Sequence, residues 1–194
     1  MKADDTRRRI VEAADRLFYE RGFETTSFAD IAQAVALSRG NFYYHFKTKD
    51  EILSEVIECR IAERRQLLSR WDEQETNPRL RIENFINILI VNQTKIMAFG
   101  CPVGTLCTEL AKLDHALQGE AARLFQLFAG WLEKQFAQLG CGSASHDLAM
   151  HLLMRSQGVA TLANTFRDAD FVRREVDAMI FWLNTQIPDA TSCS

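Results

Sequence analysis

The chain is short of everything that interrupts helices. Its 194 residues include only three Pro and nine Gly, and no stretch shows the period-two alternation of a half-buried strand, which excludes a β-rich fold. No apolar run is long enough to span a bilayer: the most apolar segment, "FINILIVNQ", is interrupted by Asn87 and Asn92. The N-terminal "MKADDTRRR" is charged and leads into an amphipathic stretch, so no secretory leader is read there. Five Cys at scattered positions are an odd number with no zinc-like spacing, which argues against a disulfide scaffold and a metal site and for a reducing cytoplasm. Net charge is only −3, so any attraction to phosphate must come from a local patch.

What is present is helical periodicity. Apolar residues make up 47% of the chain, enough for a sizeable core. The spacing predicts an all-α fold. A first helix runs from about Asp5 to Arg21 with Ile10, Ala14, Leu17 and Phe18 on one face, and Gly22 sits where a left-handed cap belongs. A second helix starts at Thr26 or Ser27, with Asp30 placed to complete a capping box. Ser38 caps a short third helix ending near Phe46, and "KTKDE" restarts a long fourth helix reaching about Trp71. Further helices are expected at about 79–98, 102–112, 115–139, 145–166 and 168–186, followed by a frayed tail at 189–194.

Two short helices joined by a tight corner describe a helix-turn-helix. The segment "SRGNFYYHFKTKDEIL" supplies its reading surface. Phe42 and Phe46 are four apart and share the face turned to Ile31 and Leu17. Tyr43, Tyr44 and His45 are turned away, and a Tyr hydroxyl is a neutral donor suited to a phosphate oxygen. Lys49 adds charge at the flank. Arg39, Gly40 and Asn41 form the first turn, where Arg addresses guanine, Asn adenine, and Gly allows close approach. A Tyr-rich face at a protein interface is the alternative that residue types leave open. "TRRR" at 6–9 is either a groove-reaching arm or a solvated first turn.

The stretch "FETTSFADIAQAVALSRGNFYYHFKTKDEIL" resembles the DNA-binding region of the TetR (tetracycline-repressor-like) family over about residues 6–54. The matching residues are Gly22-Phe23, Thr26, Asp30-Ile31-Ala32, Ala34, Ser38, Gly40, Phe42-Tyr43, His45-Phe46, Lys49 and Leu53. The resemblance implies an N-terminal three-helix DNA-binding domain at 1–48 and a larger ligand-sensing and dimerisation domain at 49–188. It also implies a homodimer formed by the last two helices on palindromic double-stranded DNA, usually a repressor released by a small ligand. Carried over position by position, Thr26, Tyr43, Tyr44, His45 and Lys49 are phosphate contacts, and Arg39, Gly40 and Asn41 the base-reading edge. One departure is Ala36, where Gly is common; a left-handed backbone there would cost about 1 kcal/mol.

In the second half, Pro102 suits a first helical residue and makes Cys101 the residue at a helix start, where thiolate is favoured. Gly-Cys followed by Leu106 and Glu109 resembles electrophile- and oxidant-sensing members of the family, such as the N-ethylmaleimide repressor, and this implies Cys101 as a sensor; an inert, well-packed Cys is the competing reading. Cys107 is a second thiol, but six residues of helix separate it from Cys101 by about 9 Å of rise, so a bridge needs unwinding, and Cys59 is an equal partner. Phe125, Phe128 and Trp131, with Leu106, His151 and Met154, are candidates for a ligand cavity, though such stripes are more often core. No His and acid pair and no phosphate-binding Gly loop supports an enzyme, so no catalytic residue and no cofactor are expected. An architectural DNA-binding dimer without a ligand is the remaining alternative.

Overall fold

The computed structural model describes residues 3–187; the expected frayed tail at 189–194 lies outside the described residues, as does the side chain of Arg39. Within them every regular element is a helix. Ten α-helices follow in order: α1 (Ala3–Arg21), α2 (Phe28–Ala34), α3 (Arg39–His45), α4 (Lys49–Gln74), α5 (Pro78–Val91), α6 (Gln93–Phe99), α7 (Pro102–Lys112), α8 (Gln118–Gln138), α9 (Ser145–Phe166) and α10 (Ala169–Gln186). A single 3-10 turn, Gly142–Ala144, precedes α9. Among the described residues no single helix is long and apolar enough to cross a membrane.

The helix ends follow local chemistry. Ser27 and Asp30 form a reciprocal capping box on α2, with Ser27 N–H donating to Asp30 Oδ2 at 2.8 Å and Asp30 N–H to Ser27 Oγ at 3.1 Å. Pro78 and Pro102 each open a helix, where a missing N–H costs nothing. The apolar run expected as one helix over 79–98 is two. It breaks at Asn92, whose backbone N–H and side-chain Nδ2 both turn back to Ile88 O. A side chain that competes for the helix's own acceptors ends it there.

The chain folds as two compact units. The first runs up to Glu63 and includes Pro102–Leu124; the second is Arg64–Cys101 with the chain from Phe125 onward. The expected boundary at residue 48 therefore falls inside the first unit, because the start of α4 and all of α7 share its core. That core holds Ile10, Ala14, Phe18, Phe23, Ile31, Phe42, Phe46, Ile52, Leu53, Val56, Leu106 and Leu110. In the second unit α5 packs on α9 and α10, and α6 on α9. Its core includes Ile82, Ile86, Leu132, Phe136, Leu152, Val176, Met179 and Leu183. The apolar residues of the last two helices thus divide. Leu152, Val159, Ala163, Val172, Val176, Met179 and Leu183 are buried within the chain, whereas Met150, Met154, Leu162, Phe166 and Phe181 remain exposed.

Candidate nucleic-acid interface

The corner between α2 and α3 is built by backbone hydrogen bonds. Ala36 N–H donates to Gln33 O at 3.0 Å and Leu37 N–H to Ala32 O at 3.1 Å, the pair of bonds that defines a Schellman end. This arrangement needs a left-handed residue, and Ala36 adopts φ +55°. Ser38 then caps α3 by accepting from Asn41 N–H at 3.4 Å. The corner therefore tolerates a side chain at the usual glycine position without changing its geometry.

Phe42 and Phe46 are buried, at 1% and 0% exposure. Phe42 meets the edge of Phe28 with ring centres 4.6 Å apart, and the guanidinium of Arg7 lies 4.0 Å over the Phe46 ring. With these two rings committed inward, the opposite face of α3 is turned out. Gly40, Asn41, Tyr43 and Tyr44 are exposed, Tyr44 at 73%. Tyr43 rests against Phe28 at 5.0 Å, and Tyr44 stands edge-on to His45 at 5.2 Å. His45 is half-buried. These stacks restrict the rings while leaving an outward strip of hydroxyl, amide and imidazole groups.

Two expected phosphate contacts are instead occupied within the fold. Thr26 is 1% exposed, and its hydroxyl donates to Gly22 O at 2.7 Å. Lys49 Nζ donates to Phe23 O at 2.9 Å and Thr26 O at 3.1 Å and lies 4.1 Å over the Phe23 ring. Both residues shape the corner between α1 and α2. A short-chain hydroxyl at a buried turn satisfies backbone before anything outside, and a Lys beside two exposed-end carbonyls does the same. "TRRR" is likewise structural for the most part. Thr6 is buried; Arg7 bridges His45 O at 2.8 Å and Glu55 at 2.7 Å; Arg9 reaches Val35 O at 3.2 Å. Arg8 alone stands well out, paired with Asp5. Sequence reasoning missed the clasps of Arg7, Arg9 and Lys49 because their partners lie 23 to 48 residues away.

The thiols and the expected cavity fare differently. Cys101 is half-buried immediately before α7, and the carbonyl of Pro102 accepts from Arg60 Nη1 at 2.6 Å. Cys107 is half-buried and its Sγ donates to Ala121 O at 3.4 Å. Burial pushes the Cys59 thiol up, reinforced by Glu55, Glu63, Asp15 and Glu12; burial also pushes Cys141 up. The residues expected to line one cavity fall in both units. Leu106 is buried in the first unit. Phe128 and Trp131 are core in the second, at 5.6 Å from Phe85 and from Trp71 respectively, and Phe125 is half-buried. His151 lies against Trp182 at 4.6 Å. Met154 is 63% exposed and sits one turn after Met150 on the outward face of α9. Trp131 borders a shallow groove of about 440 Å³ with Arg65, Asp72 and Gln126. Among the described residues no three His, Cys, Asp or Glu are grouped to hold a metal.

Comparison with known proteins agrees with this geometry. Residues 10–56 match the family model described as bacterial regulatory proteins, tetR family. The chain is 29% identical over 123 residues to an uncharacterized HTH-type transcriptional regulator of Lactococcus lactis subsp. lactis; the alignment covers 62% of this chain and 63% of that protein. It is 26% identical over 155 residues to the HTH-type transcriptional repressor DhaR of Mycobacterium sp. strain GP1, covering 79% and 77%. Its fold superposes on the crystal structure of E. coli NemR, reduced form, with a TM-score of 0.77, 17% identity, and coverage of 90% and 95%. The first of these alignments spans just under two thirds of the relative's length.

Proposed function

This chain belongs to the TetR family of bacterial regulatory proteins, and from that premise we propose that it is a DNA-binding transcriptional repressor that reads a palindromic operator as a homodimer. The observation that carries the reading is the division of α3. Phe42 and Phe46 are sealed inside, while Gly40, Asn41, Tyr43 and Tyr44 stand outside on the element that a helix-turn-helix places in the major groove. Arg39 and Asn41 supply base readout. Tyr43, Tyr44 and His45 meet phosphates as hydrogen-bond donors. Lys49 is turned inward, but Lys47 stays exposed beside α3, so binding weakens as salt rises.

The exposed apolar residues of α9 and α10 support the dimer. Met154, Phe166 and Phe181 are 63%, 66% and 72% exposed in the single chain, a cost that a partner subunit removes. Two-fold symmetry then sets two reading helices about 34 Å apart or somewhat more. A small ligand, or modification of Cys101, releases the repressor by favouring a spacing that does not match the half-sites; a preference of a few kcal/mol is sufficient. The position of Cys101 immediately before α7 favours it among the thiols.

The test is selection of bound sequences from random duplexes, with and without an electrophile. A palindrome is the expected product, and loss of binding on electrophile treatment that Cys101→Ser abolishes and Cys107→Ser preserves supports the thiol switch. Recovery of no preferred duplex overturns the DNA reading. An electrophile effect retained in Cys101→Ser removes the thiol.

A further inference from the structure

The corner between α1 and α2, residues 22–26, carries the whole reading head onward: Thr26 is followed at once by Ser27, the cap of α2, and α2 leads through the Schellman corner into α3. Two side chains remote in sequence hold this corner, one of each charge. Lys49 of α4 takes its carbonyls, at Phe23 and Thr26. Glu109 of α7 takes its amides: Phe23 N–H donates to Glu109 Oε2 and Glu24 N–H to Oε1, both at 2.9 Å. The fit is close, since a Cβ on Gly22 would stand 3.0 Å from Glu109 Oε1, and Gly22 itself has φ +95°. The ring of Phe23 is enclosed by Lys49 and by His115 just beyond α7, edge to face at 5.0 Å.

α7 is not part of a helix-turn-helix, yet its own start is fixed to α1 and α4. Arg60, 3% exposed, bonds Asp15 Oδ1 at 2.5 Å and Pro102 O at 2.6 Å. A carboxylate mounted on a helix so anchored fixes position. Its contribution to folding is confined to the part-buried Phe23 amide, because Glu24 is exposed and its amide would find water if Glu109 were absent. Orientation is another matter: without the carboxylate the corner loses its tie to α7 and keeps only those to Lys49, the Thr26 hydroxyl and the Phe23 ring, and the axes of α2 and α3 follow it.

We propose that Glu109 is a positioning residue for DNA recognition, setting through the amides of Phe23 and Glu24 the angle at which α2 and α3 are presented to the duplex. This inference rests on the DNA-binding reading above. It makes α7, whose first residue follows Cys101, the helix through which a change at that end reaches the reading head.

Wild type, Glu109→Gln and Glu109→Ala are compared on the duplex that selection returns. Four readouts are taken: affinity at fixed salt, its salt slope, thermal unfolding, and amide exchange at Phe23 and Glu24. Glu109→Gln keeps the shape and loses the charge; its affinity falls about tenfold, the scale of one charge-assisted hydrogen bond, and Glu109→Ala falls at least as far. The salt slope is unchanged, because Glu109 meets no phosphate, while exchange at the two amides accelerates and the unfolding temperature moves little. Affinity within twofold of wild type in Glu109→Gln overturns the proposal and leaves the DNA reading intact. So does a loss of binding that only tracks unfolding. If Glu109→Ala does not fold, the Gln variant decides alone. If wild type itself selects no duplex, the DNA reading fails and this inference with it, an outcome distinct from equal binding by wild type and variant.

Discussion

Replacing Ala36 by Gly should stabilise this protein, although it removes a methyl group and adds the residue most costly to order. Ala36 is exposed and sits at φ +55°, so the methyl buries nothing that would be lost. An L side chain in the left-handed region costs about 1–2 kcal/mol, and glycine returns about 0.5–1 kcal/mol of that through the greater freedom of its unfolded chain. The difference is a net gain of about 0.5–1 kcal/mol, or roughly 1–4 °C for a chain of this length. The Ala36 and Leu37 hydrogen bonds to Gln33 and Ala32 are backbone bonds and survive the change. The two units need not unfold together, so the signal must come from the right one. All three Trp lie in the second unit and Tyr19, Tyr43 and Tyr44 in the first. Tyrosine absorbance, or exchange of the Leu37 amide, therefore reports the corner. Arg167→Gly is the internal control, since Arg167 is also exposed at φ +54° but belongs to the second unit. An Ala36→Gly variant no more stable than wild type, alongside an Arg167→Gly variant that gains, would refute the reasoning for this corner.

Other expectations follow from the same geometry. Arg60→Ala strips a buried guanidinium from Asp15 and Pro102 O; because Asp15 is 42% exposed and keeps water, the loss in urea unfolding is about 2–3 kcal/mol, and a change below about 0.5 kcal/mol contradicts the clasp. Phe42→Ala empties a site that is 1% exposed and costs about 3–5 kcal/mol, seen as loss of the tyrosine-reported transition before the tryptophan one. Phe166→Asp places a charge on the exposed face of α9; sedimentation should show monomers, and an unchanged dimer would move the interface elsewhere. Hydrogen bonds from the Ser27 side chain and backbone hold the Asp30 carboxyl below its ordinary value. A folded-state pKa so depressed adds stability above the unfolded value, near pH 4, that is lost as pH falls through the folded one. Ser27→Ala should shrink that acid dependence, with NMR titration of Asp30 moving up toward an ordinary carboxylate.

Much of this was legible in the sequence, for reasons that are local. Ser27 with Asp30, Ser38, Pro102 and Gly22 mark helix ends by the groups within four residues of them, and each end falls where those groups predict. The pairing of Phe42 with Phe46 is equally local, set by the helical repeat. The break at Asn92 was not legible, because apolar spacing continues across it and only the side-chain bond to Ile88 O shows the turn. Nor were the roles of Thr26, Lys49, Arg7 and Glu109. Sequence pattern treats an ionic or hydroxyl side chain as exposed; Lys49, Arg7 and Glu109 face backbone groups brought near by packing, and Thr26 turns back to Gly22 O within a buried corner. The last two helices show the same limit. Their apolar content was plain, but which residues seal the unit and which stay outside depends on where α5 and α6 lie against them.

The account stands on the outer face of α3 meeting base edges, and Asn41 tests that most directly. Affinities of wild type and Asn41→Ala are measured at one salt concentration against every single-base variant of the selected half-site. The prediction is that discrimination falls by about 1–3 kcal/mol at one or two base pairs and persists at the others, with the salt slope unaltered. An identical discrimination profile in the variant, or a uniform loss at every position, would contradict it.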